Sequence, residues 1–492
     1  MTYRYQNRWQ HSLVILFWCL VLPVEAGAEI DEQLVIRLKK TVVNVQTSVS
    51  HALNTERVGK FAGTGFIVDA SSGIIATNRH VATTSPSQVK ITFENGESAK
   101  ARALHYDIYH DFAFYQLDVS KLNFPLKGVQ LGSSFKLREQ DEVFMIGNND
   151  GEEYSVKFGR VTNLIVDKGD RHSATFQTSF NQTGGSSGSP VFDARGRVVG
   201  IHFKGSDTTS FELRIEYIRD ALKQLNSHGR VERGDIGVEL DLMLISDARK
   251  HFHLPEEVAE RIQSLRKDIK RLIYVDRIVP RSPSEGVFLP GDLLVEVEGR
   301  MVGDDLYLLD KIIDAKVGEE VSLMVYRNGT KSFHQVRVLD GEKTKVREFA
   351  LFAGGVLHDL TPELRREYEI DTDGTFLSQA KVGTSFSELG VGTLDQKTSF
   401  AVVVEEVNGI PTPNLGSFIR AVRPLKNQAH IYVLVRNFRI YRLSSTAKRI
   451  TLELKYDPLK IFTFSRDTLE WIEVGASPLA SQGPDRGVAG EN

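Results

Sequence analysis

The chain has 492 residues, 41% of them hydrophobic and 25% charged, the ordinary mix of a folded globular protein and not that of a disordered, collagen-like or coiled-coil chain. Lys and Arg number 61 against 64 Asp and Glu, a net charge of -3, which excludes the basic field that nucleic acid or an anionic membrane selects. The length exceeds what one hydrophobic core organises, so about three domains are expected.

In chain order, Arg4, Arg8 and His11 precede an apolar run from Leu13 to Val24, followed by Ala26-Gly27-Ala28. This is the pattern of a secretory signal over residues 1–28. The run is too short to cross a hydrocarbon core of ~30 Å as a helix, so no membrane span is expected after cleavage. The only cysteine, Cys19, lies inside it, leaving the mature chain without a disulfide or a Cys-ligated metal. An exported, cysteine-free protein points to a bacterial periplasm.

From Val42 to about Phe203 the chain consists of short alternating or apolar runs broken by turn residues, the mark of an all-β barrel or sandwich. Strands are expected at Thr64 to Val68, Ile74 to Thr77, Val89 to Phe93, Phe112 to Leu117, Glu142 to Ile146 and Val198 to Phe203. Helical spacing from Ile215 to Leu225, ended by Ser227-His228-Gly229, sets a domain boundary near residue 230. Two stretches of about 110 residues then share an order of parts. Gly237-Val238 and Gly355-Val356 open them, and Val297-Glu298-Gly299 and Val407-Asn408-Gly409 follow. Apolar Val258, Ile262, Leu265, Ile269 and Leu272 predict one amphipathic helix from Pro255 to Leu272. The last 25 or so residues, rich in Ser, Gly and Pro, read as a flexible tail.

Serine hydrolysis needs a hydroxyl, a neutral imidazole to take its proton, a carboxylate to fix the imidazole tautomer, and backbone N–H groups for the oxyanion. Gly184-Gly185-Ser186-Ser187-Gly188-Ser189-Pro190 supplies Ser187 as nucleophile and the amides of Gly185 and Ser187 as the oxyanion hole. An alternative frame makes Ser186 the nucleophile elbow of an α/β-hydrolase, but an elbow runs directly into a helix. Here an Asp193-Ala194-Arg195-Gly196 turn between apolar runs predicts a hairpin. His80, after the strand ending at Thr77, is the base. Asp111, at the start of the Phe112 to Leu117 strand, is the acid, with Asp107 the runner-up.

Gly-Thr-Gly-Phe at Gly63 to Phe66, Thr-Asn-x-His-Val at Thr77 to Val81, Asp111-x-Ala113 and Gly185-x-Ser187-Gly188-x-Pro190 together resemble the trypsin-like HtrA (Do) peptidases. Gly237-Val238, Val279-Pro280-Arg281-Ser282-Pro283, Pro290-Gly291-Asp292-Leu293-Leu294 and Val297-x-Gly299 resemble an HtrA-type PDZ domain. The layout is similar to one half of the fungal nuclear HtrA-type proteases. The resemblance implies a mostly β protein: a chymotrypsin-like double β-barrel (29–230) followed by two α/β PDZ domains (231–342 and a divergent 343–458), with a tail at 459–492. It implies no cofactor and no metal, a homotrimer, and partners that are unfolded polypeptides of the cell envelope and peptide C-termini. The PDZ grooves would bind through Ile236, Gly237 and Val238 and through Gly355 and Val356. The P1 pocket would be walled by Asn181, Gln182, His202 and Lys204. Asn181 stands where Lys- or Arg-selecting enzymes carry an acid, so a basic P1 residue is not expected. The stretch from Thr183 to His202 also resembles the staphylococcal-type glutamyl endopeptidases. Of the two, the HtrA likeness favours an aliphatic P1 residue. A binding protein with a relic site is the rival from another class; the presence of all three triad residues speaks against it.

Overall fold

The structure, a computed structural model, describes residues 31–149, 151–166, 173–181, 184–206, 208–266, 269–390, 401–439 and 442–474. The expected signal segment and Gln182 lie outside the described residues.

After helix α1 (Glu32–Lys39), six strands close a barrel in the order β1-β2-β3-β6-β5-β4. They are β1 (Val42–Val49), β2 (Gly59–Asp69), β3 (Ile74–Thr77), β4 (Ser87–Phe93), β5 (Ser98–Tyr106) and β6 (Ala113–Leu117), with the one-turn helix α2 (Arg79–Ala82) after β3. The second lobe contains β7 (Gln130–Leu131), β8 (Glu142–Asn149), β9 (Glu152–Val166), β10 (Thr175–Thr178), β11 (Pro190–Asp193), β12 (Arg197–Gly205) and β13 (Ser210–Arg214). Pairing of β11 with β12 closes six of these strands into a second barrel.

Continuous apolar runs arise because both faces of these strands are buried. Val143 and Met145 point into the second barrel, while the alternate residues Phe144 and Ile146 join the cluster between the lobes. Phe66 and Phe114 enter that shared cluster, and their neighbours Ile67 and Tyr115 fill the first barrel. A period of two therefore builds three cores at once. Helix α3 (Ile215–His228) buries Ile215, Tyr217, Ile218 and Ala221 and ends at Gly229 in the left-handed region, φ 69°, a glycine C-cap.

The two repeated stretches share one plan. The first holds β14 (Gly234–Asp235), β15 (Val238–Leu244), α4 (Ile245–Phe252), α5 (Glu256–Leu265), β16 (Arg271–Ile278), β17 (Leu293–Val297), β18 (Arg300–Met301), α6 (Leu306–Asp314), β19 (Glu320–Arg327), β20 (Thr330–Arg337) and β21 (Leu339–Asp340). The second holds β22 (Glu348–Phe352), β23 (Gly355–Asp359), α7 (Pro362–Tyr368), β24 (Thr375–Ala380), β25 (Ala401–Val407), β26 (Ile410–Pro411), α8 (Leu415–Val422), β27 (His430–Arg439) and β28 (Arg442–Thr451). In both, a strand turns through a left-handed residue, Glu298 or Asn408, into a two-residue strand, a helix and a long hairpin.

Two expectations are corrected. The single helix from Pro255 to Leu272 ends at Leu265, and Leu272 lies on β16, fully buried. Its apolar spacing continued because Ile269, from the segment before β16, and Leu272, on β16, enter the same core as Val258 and Ile262. Residues expected to open a tail at 459 are instead in strands: β29 (Lys460–Ser465) pairs with β22, and β30 (Glu470–Glu473) pairs with β29. Phe349 stacks on Phe462 at 4.8 Å and meets Trp471 edge-on at 5.0 Å.

Candidate active site

The two barrels meet at His80, Asp111 and Ser187. Asn78, at the N-cap of α2, makes no capping bond; its Nδ2 donates instead to the Asp111 carbonyl at 2.8 Å. The Asp111 carboxylate then takes two bonds from one residue: His80 N donates to Oδ1 at 3.0 Å, and ring Nδ1 lies 2.6 Å from Oδ2. That pairing places the ring proton on Nδ1 and leaves Nε2 as the basic nitrogen. Burial alone would raise the Asp111 carboxyl, but the charge of and hydrogen bonds from His80 outweigh it and hold the group below its ordinary value. The His80 side chain is 47% exposed and Asp111 17%, so the ring is open to a substrate while the acid is shielded.

Ser187 arrives from the second barrel. Thr64 N donates to its carbonyl at 2.8 Å, and Thr64 Oγ1 donates to the Gly185 carbonyl at 3.1 Å. The Asn148 amide in turn donates to Thr64 Oγ1 at 2.9 Å. A Cβ on Gly63 would meet both Val81 and the Ser187 carbonyl, which sets the serine's backbone against the helix that carries His80. Gly185 and Gly188 have φ of 88° and 86°. A side chain on either would strike backbone oxygen, of Asn148 or Thr64 respectively, so only glycine fits this turn. Ser186 is fully buried and the chain passes into strand β11 rather than a helix, which removes the α/β-hydrolase frame. Asp107 does not face the ring: it is fully buried, pairs with Arg233 Nε at 2.5 Å, and accepts from the amides of Tyr109 and His110. The braces Thr64, Asn148 and Asn78 escaped the sequence reading as site residues, although Thr64 and Asn78 sit inside its motifs.

Of the expected P1 wall, Asn181 is exposed and its carbonyl accepts from Lys157 Nζ at 3.1 Å. His202 is fully buried on β12 and Lys204 is exposed. Glu212 on β13, which no motif flagged, lies 3.3 Å from His202 Nδ1.

Residues 63–201 match the trypsin-like peptidase domain family, 257–338 match the PDZ domain family and 344–428 match the PDZ-like domain family. The chain carries a trypsin-like serine peptidase domain followed by two PDZ domains. It is 27% identical over 412 residues to the pro-apoptotic serine protease NMA111 of Lodderomyces elongisporus, covering 82% of this chain and 41% of that protein. NMA111 of Yarrowia lipolytica is 28% identical over 414 residues, with the same coverage of 82% and 41%. NMA111 of Chaetomium globosum is 26% identical over 465 residues, covering 90% and 44%. The chain thus spans about two fifths of the length of these curated relatives. Among solved structures, the HtrA-type protease AlgW with a tripeptide aligns over 62% of this chain and 95% of its own, at 24% identity and a TM-score of 0.47. The serine endoprotease from Yersinia pestis aligns over 63% and 97%, at 20% identity and a TM-score of 0.43. The expected periplasmic location is corrected by these relatives: they are fungal proteins, and the bacterial-envelope placement does not stand. Among the described residues no helix is long and apolar enough to cross a membrane, and no group of three or more His, Cys, Asp or Glu residues could hold a metal ion.

The PDZ grooves differ from expectation. In PDZ 1, β15 is an edge strand of its sheet, facing α6, so one edge remains for an added strand. Its mouth is not an empty carboxylate cradle, however. Asp235 Oδ1 accepts from Gly237 N at 2.6 Å, Arg366 from α7 pairs with Asp235 at 3.2 Å, and Tyr109 and His110 of the peptidase domain line the same recess as Ile236 and Val238. In PDZ 2, Gly355 and Val356 have no free edge. Strand β23 pairs with β22 on one side and β24 on the other, and Phe352 of β22 packs on Phe418 of α8 at 5.9 Å. The domain's own β22 lies where a ligand strand would lie.

Proposed function

We propose that this chain is a serine endopeptidase that hydrolyses peptide bonds in unfolded polypeptides through an acyl-enzyme. The observation that carries the reading is the pair of hydrogen bonds between Asp111 and His80, beside a Ser187 backbone clamped by Thr64. In this reading His80 Nε2 takes the Ser187 proton as the hydroxyl attacks and returns it to the leaving amine. Asp111 holds the tautomer and faces the imidazolium that forms. The amides of Gly185 and Ser187 receive the oxyanion. PDZ 1 adds a bound segment along the edge of β15, and the homotrimer implied by the sequence resemblance belongs to the same proposal. Capture of a peptide C-terminus is not part of it, because Asp235 already accepts from the amide that would serve.

The test is digestion of an unfolded protein such as casein. Ser187→Ala and His80→Ala are each expected to lower hydrolysis by roughly 10⁴-fold or more, because triad members act as one unit, while Ser186→Ala costs little. Loss of activity in Ser186→Ala alone refutes the assignment. Suppression of aggregation without cleavage by the parent chain identifies a holdase instead.

A further inference from the structure

We infer that Glu56 is a positioning residue for His80: its carboxylate fixes the turn by which the chain leaves the catalytic helix. This rests on, and deepens, the serine-endopeptidase reading, and Glu56 acts on the reaction only through His80.

Helix α2 has a single turn, too short to hold a side chain in place by its own hydrogen bonds. Its exit is strained. Thr83, three residues after His80, has φ 55° and ψ 149°, a region in which a β-branched residue persists only where its surroundings impose it. Here one carboxylate does so. Glu56 Oε1 accepts from Thr84 N at 2.6 Å, and Oε2 accepts from Ser85 N at 3.2 Å, from Ser85 Oγ at 2.5 Å and from the Thr83 hydroxyl. Four donors from three consecutive residues thus converge on one side chain of the β1–β2 loop, in bonds of the stronger, charge-assisted kind. The last carbonyls of α2 are held separately: Thr47 Oγ1 donates to that of Val81 at 3.1 Å, and the Tyr115 hydroxyl donates to that of Ala82. Those bonds tie the helix to the barrel, and Glu56 ties the turn behind it.

The loop that carries Glu56 is seated in PDZ 2. Leu53 is fully buried in a cluster with Val346, Phe349 and Val356. Beside it, Ala52 N donates to Gln379 Oε1 at 3.0 Å, Ser378 Oγ donates to the Ala52 carbonyl at 2.7 Å, and Asn54 N donates to His358 Nε2 at 3.0 Å. The last bond needs a neutral ring. His358 Nδ1 lies 2.7 Å from the Asp359 carbonyl, which places the ring proton there, and burial pushes the imidazole down to about 4. Leu53 N also donates to Ser85 Oγ at 2.8 Å, joining the anchor to the residues that Glu56 grips.

Without Glu56, Thr83 relaxes to a common backbone conformation and His80 shifts against Ser187, while contacts to substrate stay as they are. A misplacement of about 1 Å at a catalytic group can cost about 100-fold in rate. The expected signature is a fall in kcat at nearly constant KM, the mark of an interaction that acts only in the transition state.

The experiment measures kcat and KM on one casein-derived peptide, together with the rate at which a fluorophosphonate labels Ser187. It compares the full chain with Glu56→Ala, Glu56→Asp and the double variant Glu56→Ala/Thr83→Gly, each checked for folding by thermal melts. In Glu56→Ala, kcat and the labelling rate are expected to fall together by about 10- to 100-fold, with KM within about two-fold. Glu56→Asp, a methylene too short to reach all three residues, falls in the same direction and carries the comparison if Glu56→Ala does not fold. Glycine adopts the Thr83 backbone without strain, so the double variant is expected to regain most of the lost kcat. Parental kcat in a folded Glu56→Ala or Glu56→Asp overturns the positioning role and keeps the peptidase. A loss confined to KM overturns it too, because it marks a contact with substrate. A folded double variant no faster than Glu56→Ala overturns strained Thr83 as the link. Absence of both labelling and cleavage in the parent chain overturns the peptidase reading itself.

Discussion

Asp310 sits on α6 with its carboxyl buried, 2.6 Å from the Tyr217 hydroxyl that donates to it and 3.8 Å from His110 Nε2. Burial pushes its carboxyl well above the usual range, the Tyr217 bond opposes this, and the neighbouring Asp314 charge adds to the rise. Asp107, by contrast, is raised by burial but held well below that range by Arg233. The signs are opposite. Asp107 contributes stability above the ordinary carboxylate range that is lost as pH falls. Asp310 contributes stability at low pH that is lost as pH rises through its folded value, because the folded state must keep a proton the unfolded chain releases. Asp310→Asn keeps an acceptor for Tyr217 and removes that proton uptake. It should raise the unfolding midpoint near neutral pH by a few degrees, at about 2–4 °C per kcal/mol for a domain of this size, and flatten the dependence on pH. Thermal melts at several pH values check it, and a lower midpoint at pH 7 would show that ionised Asp310 is stabilising. None of this was legible from residue types. His80, Asp111 and Ser187 stood out because local glycine, threonine and asparagine motifs surround them, whereas Asp310 acquires its character from partners distant in the chain, Tyr217 and His110.

At the level of elements, the repeat was readable and the state of each groove was not. The strand openings Gly237-Val238 and Gly355-Val356 look alike, yet one borders a free edge and the other lies inside a sheet. The difference is a tight β22–β23 hairpin, turning at Ala353 and Gly354 with φ of 52° and 83°, which folds the chain back into its own groove. PDZ 1 presents an edge, but Asp235 places a fixed negative charge on the Gly237 amide. Amidating the C-terminus of a PDZ 1 peptide is therefore expected to change its affinity by about two-fold or less, since no free nest awaits the carboxylate. Titration of a paired acid and amide peptide measures it, and a ten-fold weakening on amidation restores C-terminal capture. The overlong helix at Pro255 to Leu272 failed for a related reason: burial in one core from both a helix and a strand mimics a single period.

Across the whole molecule, three domains meet on the run from His105 to Asp111. Arg79, beside His80, pairs with Glu363 of PDZ 2. Lys345 Nζ donates to the Tyr106 carbonyl at 2.5 Å. Arg233, in the connection after α3, pairs with both Asp107 and Asp314 and is fully enclosed. Removing one partner of a buried ion pair typically costs about 3–5 kcal/mol, because the other charge stays buried. Arg233→Ala should accordingly loosen the domains by an amount of that order and, because its partner Asp107 lies four residues from Asp111, reduce peptidase activity. Calorimetry and limited proteolysis between residues 229 and 233 read the first effect, and unchanged melting would show that the seam contributes nothing to stability. By itself the sequence determined an all-β first domain, a boundary near residue 230, a repeated second half and the His, Asp and Ser candidates, because strand alternation and turn chemistry act over a few residues; the double barrel came only as what the HtrA resemblance implies. Only the tertiary structure decided which aspartate lies behind the imidazole, which groove is filled and what surrounds His202. Those answers depend on pairs such as Arg233 with Asp107 and Arg366 with Asp235, 126 and 131 residues apart, and no local pattern encodes a meeting at that separation.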